Sequence, residues 1–171
     1  MAANDITDHV PRDLPISRDI GFTVAERYNA SEILFDNLAA GRGGKTAIYA
    51  NSGNATYQEL CNTACQVGNA LAEQVLAPFS RVLMLLDDTA AYPAAIFGAM
   101  RAGFVPVLIN TLTPPELIQY YLEDSGAPVA MVESSLAHLL TSETVAGTDL
   151  RTAVVVNGNV SPEADIQIRH W

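Results

Sequence analysis

"RVLMLLDDTAAYPAAIFGAMRAGFVPVLIN", residues 81–110, sets two apolar runs on either side of a helical pattern. Neither run alternates apolar with polar, so each reads as a strand buried on both faces. Strands joined by about a dozen helical residues form right-handed βαβ units. The same alternation continues outward. "PPELIQYYLEDSG" (114–126) reads as a helix, "PVAMVE" (128–133) as a strand, "SLAHLLTS" (135–142) as a short helix and "TAVVVNG" (152–158) as the last strand. The expected fold is therefore α/β: a largely parallel, doubly wound sheet of 81–86, 104–110, 128–133 and 152–157 with flanking helices. Leu85 and Val107 belong in its core.

Upstream, residues 1–19 hold Pro11 and Pro15, and an extended arm is expected there. Residues 20–171 form the α/β unit. Asn29 and Glu32 fit a capping box for a helix with Ile33, Leu34, Asn37 and Leu38 on one side, stopped by Gly41, Gly43 and Gly44. "TAIYANSGNATY" (46–57) reads as a small β-hairpin around an Asn-Ser-Gly-Asn turn. Thr56 and Glu59 box the start of a long helix whose buried side is Leu60, Ala64, Val67, Leu71 and Val75. Thr113 caps the helix from Pro114, with Glu116 at the box position.

Composition narrows the function. The 171 residues carry nineteen acidic and nine basic side chains, a net charge of −10. That charge argues against nucleic acid and anionic lipid as partners. No apolar run reaches the roughly 18 residues of a membrane span. The N-terminus lacks the apolar stretch of a secretory signal, and a cytoplasmic location is expected. Cys61 and Cys65 lie one helical turn apart and read as structural thiols, with no further Cys or His adjacent to make a metal site. By the same reasoning the match of Asn29 and Asn54 to the glycosylation pattern is chance.

Ligands of doubly wound sheets sit beyond the carboxyl ends of the strands. Asp87, Asp88, Asn110 and Glu133 fall there. The aspartates could hold a metal or act as an acid–base pair, but capping of the 89–103 helix is the reading adopted. "GRGGKT" (41–46) lacks the first glycine of a phosphate loop, and its flanks are reversed, helix before and strand after. His138 reads as a half-buried helix histidine, and His9 and His170 as solvated. Tyr120 and Tyr121 could stack on a ligand, although Leu117, Ile118, Tyr121 and Leu122 also make an ordinary packing face. No nucleophile–base pairing is legible. Catalytic, cofactor-binding and metal-binding residues are accordingly assigned to no position.

The order of segments adds a resemblance. "TYQEL" opening a helix, then "RVLMLL", "AAIFGAMRAGFVPVLIN" and "LTPPELIQYYLEDSGAPVAMVE", resembles the N-terminal part of the adenylate-forming acid–CoA ligases. "YNASEILFDNLAAGRGGKTAIY" (28–49) is most similar to the benzoate– and 4-hydroxybenzoate–CoA ligases. The likeness covers roughly residues 21–140. It implies a parent enzyme that joins an aromatic carboxylic acid to coenzyme A with ATP and Mg²⁺. The family's Pro-Lys-Gly-ended phosphate loop has no counterpart here, since Ser52-Gly53 and Ser125-Gly126 do not continue that way. Nor do its acyl pocket, ribose-binding Asp and C-terminal Lys. The expectation is an N-terminal piece that binds none of these cofactors, is inactive alone and has the remainder of the ligase chain as partner, with a homodimer left open. The alternative is a stand-alone binding or regulatory module. The corner "INTLTPPELI" (109–118) is then scaffold.

Overall fold

The computed structural model describes residues 28–51 and 53–171, so the expected arm at 1–19 lies outside the described residues. Helix α1 (Glu32–Ala39) leads into strand β1 (Thr46–Ile48), which pairs antiparallel with β2 (Ala55–Thr56). Helix α2 (Tyr57–Ala72), β3 (Arg81–Leu85), α3 (Ala91–Arg101), β4 (Val105–Leu108), α4 (Pro115–Ser125) and β5 (Val129–Glu133) follow. A 3₁₀ turn (Ser134–Leu139), the short α5 (Ser142–Val145), β6 (Thr152–Val156) and β7 (Gln167–His170) complete the chain. The large sheet runs β4-β3-β5-β6-β7, every pair parallel.

The period of two along a strand explains the layering. Val82, Met84 and Leu86 face α2 and α3 with Val67, Leu71, Ala95 and Ala99. Leu83 and Leu85 face the other way, onto Ile118 and Leu122 of α4 and Leu140. Both faces of β3, β5 and β6 are thereby covered. Helices α2 and α3 cross closely, because Gly98 has no side chain: a Cβ there would sit 2.6 Å from the Ala64 carbonyl oxygen. Helix α1 is tied to the end of α3. Asn29 Nδ2 donates to the Met100 carbonyl (2.8 Å), Arg101 pairs with Glu32 (3.2 Å), and its guanidinium lies 3.8 Å from the Phe35 ring centre.

Several local expectations are corrected. β7 is an additional parallel strand, so 152–156 is not the last; its four residues are mostly polar and carry little hydrophobic signal. β4 is an edge strand, and Val107 is only partly buried against the core. Val75 is 92% exposed, past the end of α2, in a left-handed conformation. His138 is exposed rather than half-buried.

Three helix starts also differ. Thr113 makes no cap: Pro114 takes the N-cap position in extended conformation and α4 begins at Pro115. A residue before proline is kept out of the helical region, so Thr113 and Pro114 are both excluded from the first turn, and Glu116 falls one place short of the box position. Asn29 does not cap α1 either. Its Oδ1 accepts from Ser31 N (2.9 Å), Ser31 takes the N-cap place, and Glu32 is engaged by Arg101. Before α3, Ala90 is the N-cap, with no side-chain cap, and the threonine rather than either aspartate reaches the first turn: Thr89 Oγ1 accepts from Ala91 N (3.3 Å). The Thr56–Glu59 box forms as expected.

Candidate functional site: a crevice at the carboxyl end of the sheet

The strand order reverses between β3 and β5, with β4 on one side and β6 and β7 on the other. That reversal is the topological switch point of a doubly wound sheet, where the two crossovers part and leave room for a ligand. Glu133 ends β5 here and is 5% exposed; its Oε2 accepts weakly from Asp87 N at 3.5 Å.

Beside it, between the ends of β3 and β4, lies a cavity of about 330 Å³. Asp87, Asp88, Tyr92, Asn110 and Thr111 supply its polar lining. A second hollow of about 390 Å³ shares Asp88 and Tyr92 and is closed by Tyr49 and Asn51 from the hairpin. Both aspartates are exposed to solvent. Burial pushes the Tyr92 phenol upward, and the Asp88 charge adds to it, so the hydroxyl stays protonated as a donor. Tyr92 escaped the sequence reading. Its signal was its place four residues after Asp88, one turn along the same segment.

The corner beyond β4 satisfies its own backbone. Asn110 Oδ1 accepts from Leu112 N (2.8 Å) and the Asn110 carbonyl from Thr113 N (3.0 Å). Ile109 N donates to the Met84 carbonyl, which keeps the corner stitched to β3. Asn110 thus shapes a turn rather than presenting its amide oxygen to a ligand.

The structure gathers Asp87, Asp88 and Asn110 in one crevice, while Glu133 is not part of its lining and is linked to it only through the Asp87 N–H. His138 is elsewhere: it lines a cavity with Glu116 and Glu143, and no three such groups among the described residues converge to hold a metal. Cys61 is buried and Cys65 partly so, both free. Burial raises the Cys61 thiol, the neighbouring Cys65 adds to this and Arg101 partly opposes it, so Cys61 is not an activated nucleophile. In the "GRGGKT" loop the Gly41, Arg42 and Lys45 N–H groups, which a phosphate would need as donors, are already given to the Leu38, Asn37 and Arg42 carbonyls. Tyr120 and Tyr121 meet edge to face at 5.6 Å, with Tyr121 against the core. Among the described residues no helix is long and apolar enough to cross a membrane.

Residues 35–169 match the model of the family described as AMP-binding enzyme. The chain is 42% identical over 118 residues to a benzoate–CoA ligase of Thauera aromatica, covering 68% of this chain and 22% of that protein. It is 35% identical over 136 residues to a 4-hydroxybenzoate–CoA/benzoate–CoA ligase of Rhodopseudomonas palustris, covering 79% and 25%. The crystal structure of the anthranilate CoA ligase AuaEII in complex with anthranoyl-AMP superposes with a TM-score of 0.73 at 34% identity, covering 81% and 27%. The chain thus spans about a quarter of the length of the relatives it matches.

Proposed function

This chain belongs to the AMP-binding enzyme family, and we propose that it is the N-terminal part of an ATP-dependent aryl-acid–CoA ligase. The whole protein would convert an aromatic carboxylate, ATP and coenzyme A into the acyl-CoA, AMP and pyrophosphate, with Mg²⁺ accompanying the ATP. The observation that carries this reading is the 42% identity to a benzoate–CoA ligase, on a sheet that superposes on an anthranilate ligase.

Within that protein the present residues act as scaffold. The crevice does not fit a triphosphate. Its lining offers two carboxylates and no Lys, Arg or His, whereas phosphoryl oxygens need cationic or N–H donors. The ends of β3 and β4 and the corner beyond β4 form an acidic wall, and Tyr92 and Asn110 shape it. The donors for the nucleotide would come from the remainder of the ligase chain. No feature of the crevice favours a stand-alone binding module over this role.

The test is the reading frame beyond Trp171. A protein extended through it should release pyrophosphate with benzoate or 4-hydroxybenzoate, ATP, Mg²⁺ and coenzyme A. A stop codon directly after Trp171 in the native gene, or an extended protein without ligase activity on any aromatic acid, would refute the proposal.

A further inference from the structure

Helix α2 carries the chain's two cysteines, Cys61 and Cys65, one turn apart on one face. Both are free. Cys61 is 1% exposed, among Leu34, Leu60, Ala64 and Ala94. Cys65 is half-buried and lines a hollow of about 160 Å³ with Gly68, Asn69, Ala72, Arg101 and Ala102, where the pair meets solvent. Burial raises the Cys61 thiol first, Cys65 adds to this and Arg101 opposes it, so both neighbours act on that sulfur. Spacing decides what the pair can do. Residues four apart on a helix hold their Cβ atoms about 5–6 Å apart. A disulfide needs about 3.5–4.5 Å, so the two cannot be bridged while α2 stays helical. A single ion between two thiolates stands two metal–sulfur bonds across, about 4.6 Å from sulfur to sulfur, which the same spacing reaches.

We propose that Cys61 and Cys65 form a two-coordinate site for a soft, thiophilic monovalent ion of the Cu(I) class. Both sulfurs belong to one helix, so the donor pair is complete within this chain. Thiolate is the ligand that such ions select. The donor set argues against harder metals. Among the described residues no carboxylate or imidazole lines the hollow, and no third His, Cys, Asp or Glu joins the pair. Zinc, which takes four ligands, is therefore not held. Binding replaces two S–H bonds by two metal–sulfur bonds and releases two protons. The resulting dithiolate centre carries one negative charge, and the Arg101 guanidinium supplies the nearby positive one. Arg101 is held in place by Glu32 at 3.2 Å and by the Phe35 ring at 3.8 Å. The apolar side chains around Cys61 keep water and hard anions from the ion.

Titration of the reduced 171-residue chain with Cu(I), free of oxygen and against the chelator bicinchoninate, reads the site. Expected are one ion held per chain, a thiolate-to-copper absorption in the ultraviolet that saturates at the same ratio, and loss of Cys65 alkylation by a maleimide in the loaded protein. Cys65→Ser should abolish the retention and the absorption, as should Cys61→Ala. If Cys61→Ala does not fold, Cys65→Ser decides, because that side chain is only half-buried. Equimolar Zn(II) should displace none of the bound ion. No Cu(I) retained against the chelator overturns the proposal, as does retention unchanged in Cys65→Ser or displacement by Zn(II). Half an ion per chain also overturns it, since two chains would then share one ion through Cys65. So does a Cys61–Cys65 disulfide that forms on mild oxidation with helix content unchanged, because the spacing argument forbids it.

Discussion

Strands β3 and β4 come from runs that look alike, "RVLMLL" and "FVPVLIN", yet they occupy opposite situations. β3 lies inside the sheet, and Val82 through Leu85 are essentially without exposure. β4 is an edge, with Val105 and Leu108 41% and 51% exposed. An apolar run therefore marks a strand, not its place in the sheet. Place is decided by the crossovers: the chain leaves β3 for β4 on one side, then returns past β3 to lay down β5. The two capping sequences repeat the lesson. Thr56-x-x-Glu59 and Thr113-x-x-Glu116 have the same pattern, and only the first closes, because two prolines shift the start of α4.

The largest contrast is between interior and edge. Leu85→Ala should cost about 2–5 kcal/mol, as for other fully buried leucines. Val107→Ala should cost about 1 kcal/mol: two carbons at ~0.8 kcal/mol each, halved because the site is half covered. Urea melts that rank Val107 at or above Leu85 would break the comparison. Next comes the interior helix layer. Gly98→Ala places a methyl 2.7 Å from Val67 Cβ and should cost about 1–3 kcal/mol through overpacking, read as a fall in the melting midpoint.

Smaller effects sharpen the second contrast. Thr56→Ala removes a realised cap and should cost about 1 kcal/mol. Thr113→Ala should change stability by less than about 0.5 kcal/mol, as for surface substitutions away from special features. The smallest effect is one of pH. Backbone and side-chain hydrogen bonds from Thr56 lower the Glu59 carboxyl below its ordinary value. A lowered folded-state value adds stability above the unfolded value and loses it as pH falls through the folded one. Acid titration followed by NMR should therefore show Glu59 protonating later in wild type than in Thr56→Ala.

Much of this fold was legible because its decisive features are local. Continuous runs at β3, β5 and β6 announced a sheet covered on both faces, and the dozen-residue spacers announced parallel crossovers. The Thr56–Glu59 box needed no tertiary knowledge either. What escaped depends on distant partners. β7 owes its existence to β6 and has only Ile168 of its own to bury. Glu32 was drawn from capping by Arg101, which is 69 residues away. Pro106 did carry a readable sign of an edge, since proline is excluded from central strands. The end-of-strand rule alone located Asp87, Asp88, Asn110 and Glu133 at the carboxyl ends of the strands, and the first three line the crevice. Tyr92, which links the two hollows, was not, because a tyrosine beside a helix proline reads first as packing.

Pyrophosphate–ATP exchange by the purified 171-residue chain, with benzoate and Mg²⁺, tests most directly whether this crevice is a wall rather than an adenylation centre. The account predicts no exchange above the rate without protein. Exchange that saturates with benzoate, and that falls when Asp87→Asn or Asp88→Asn is introduced without loss of fold, would contradict it.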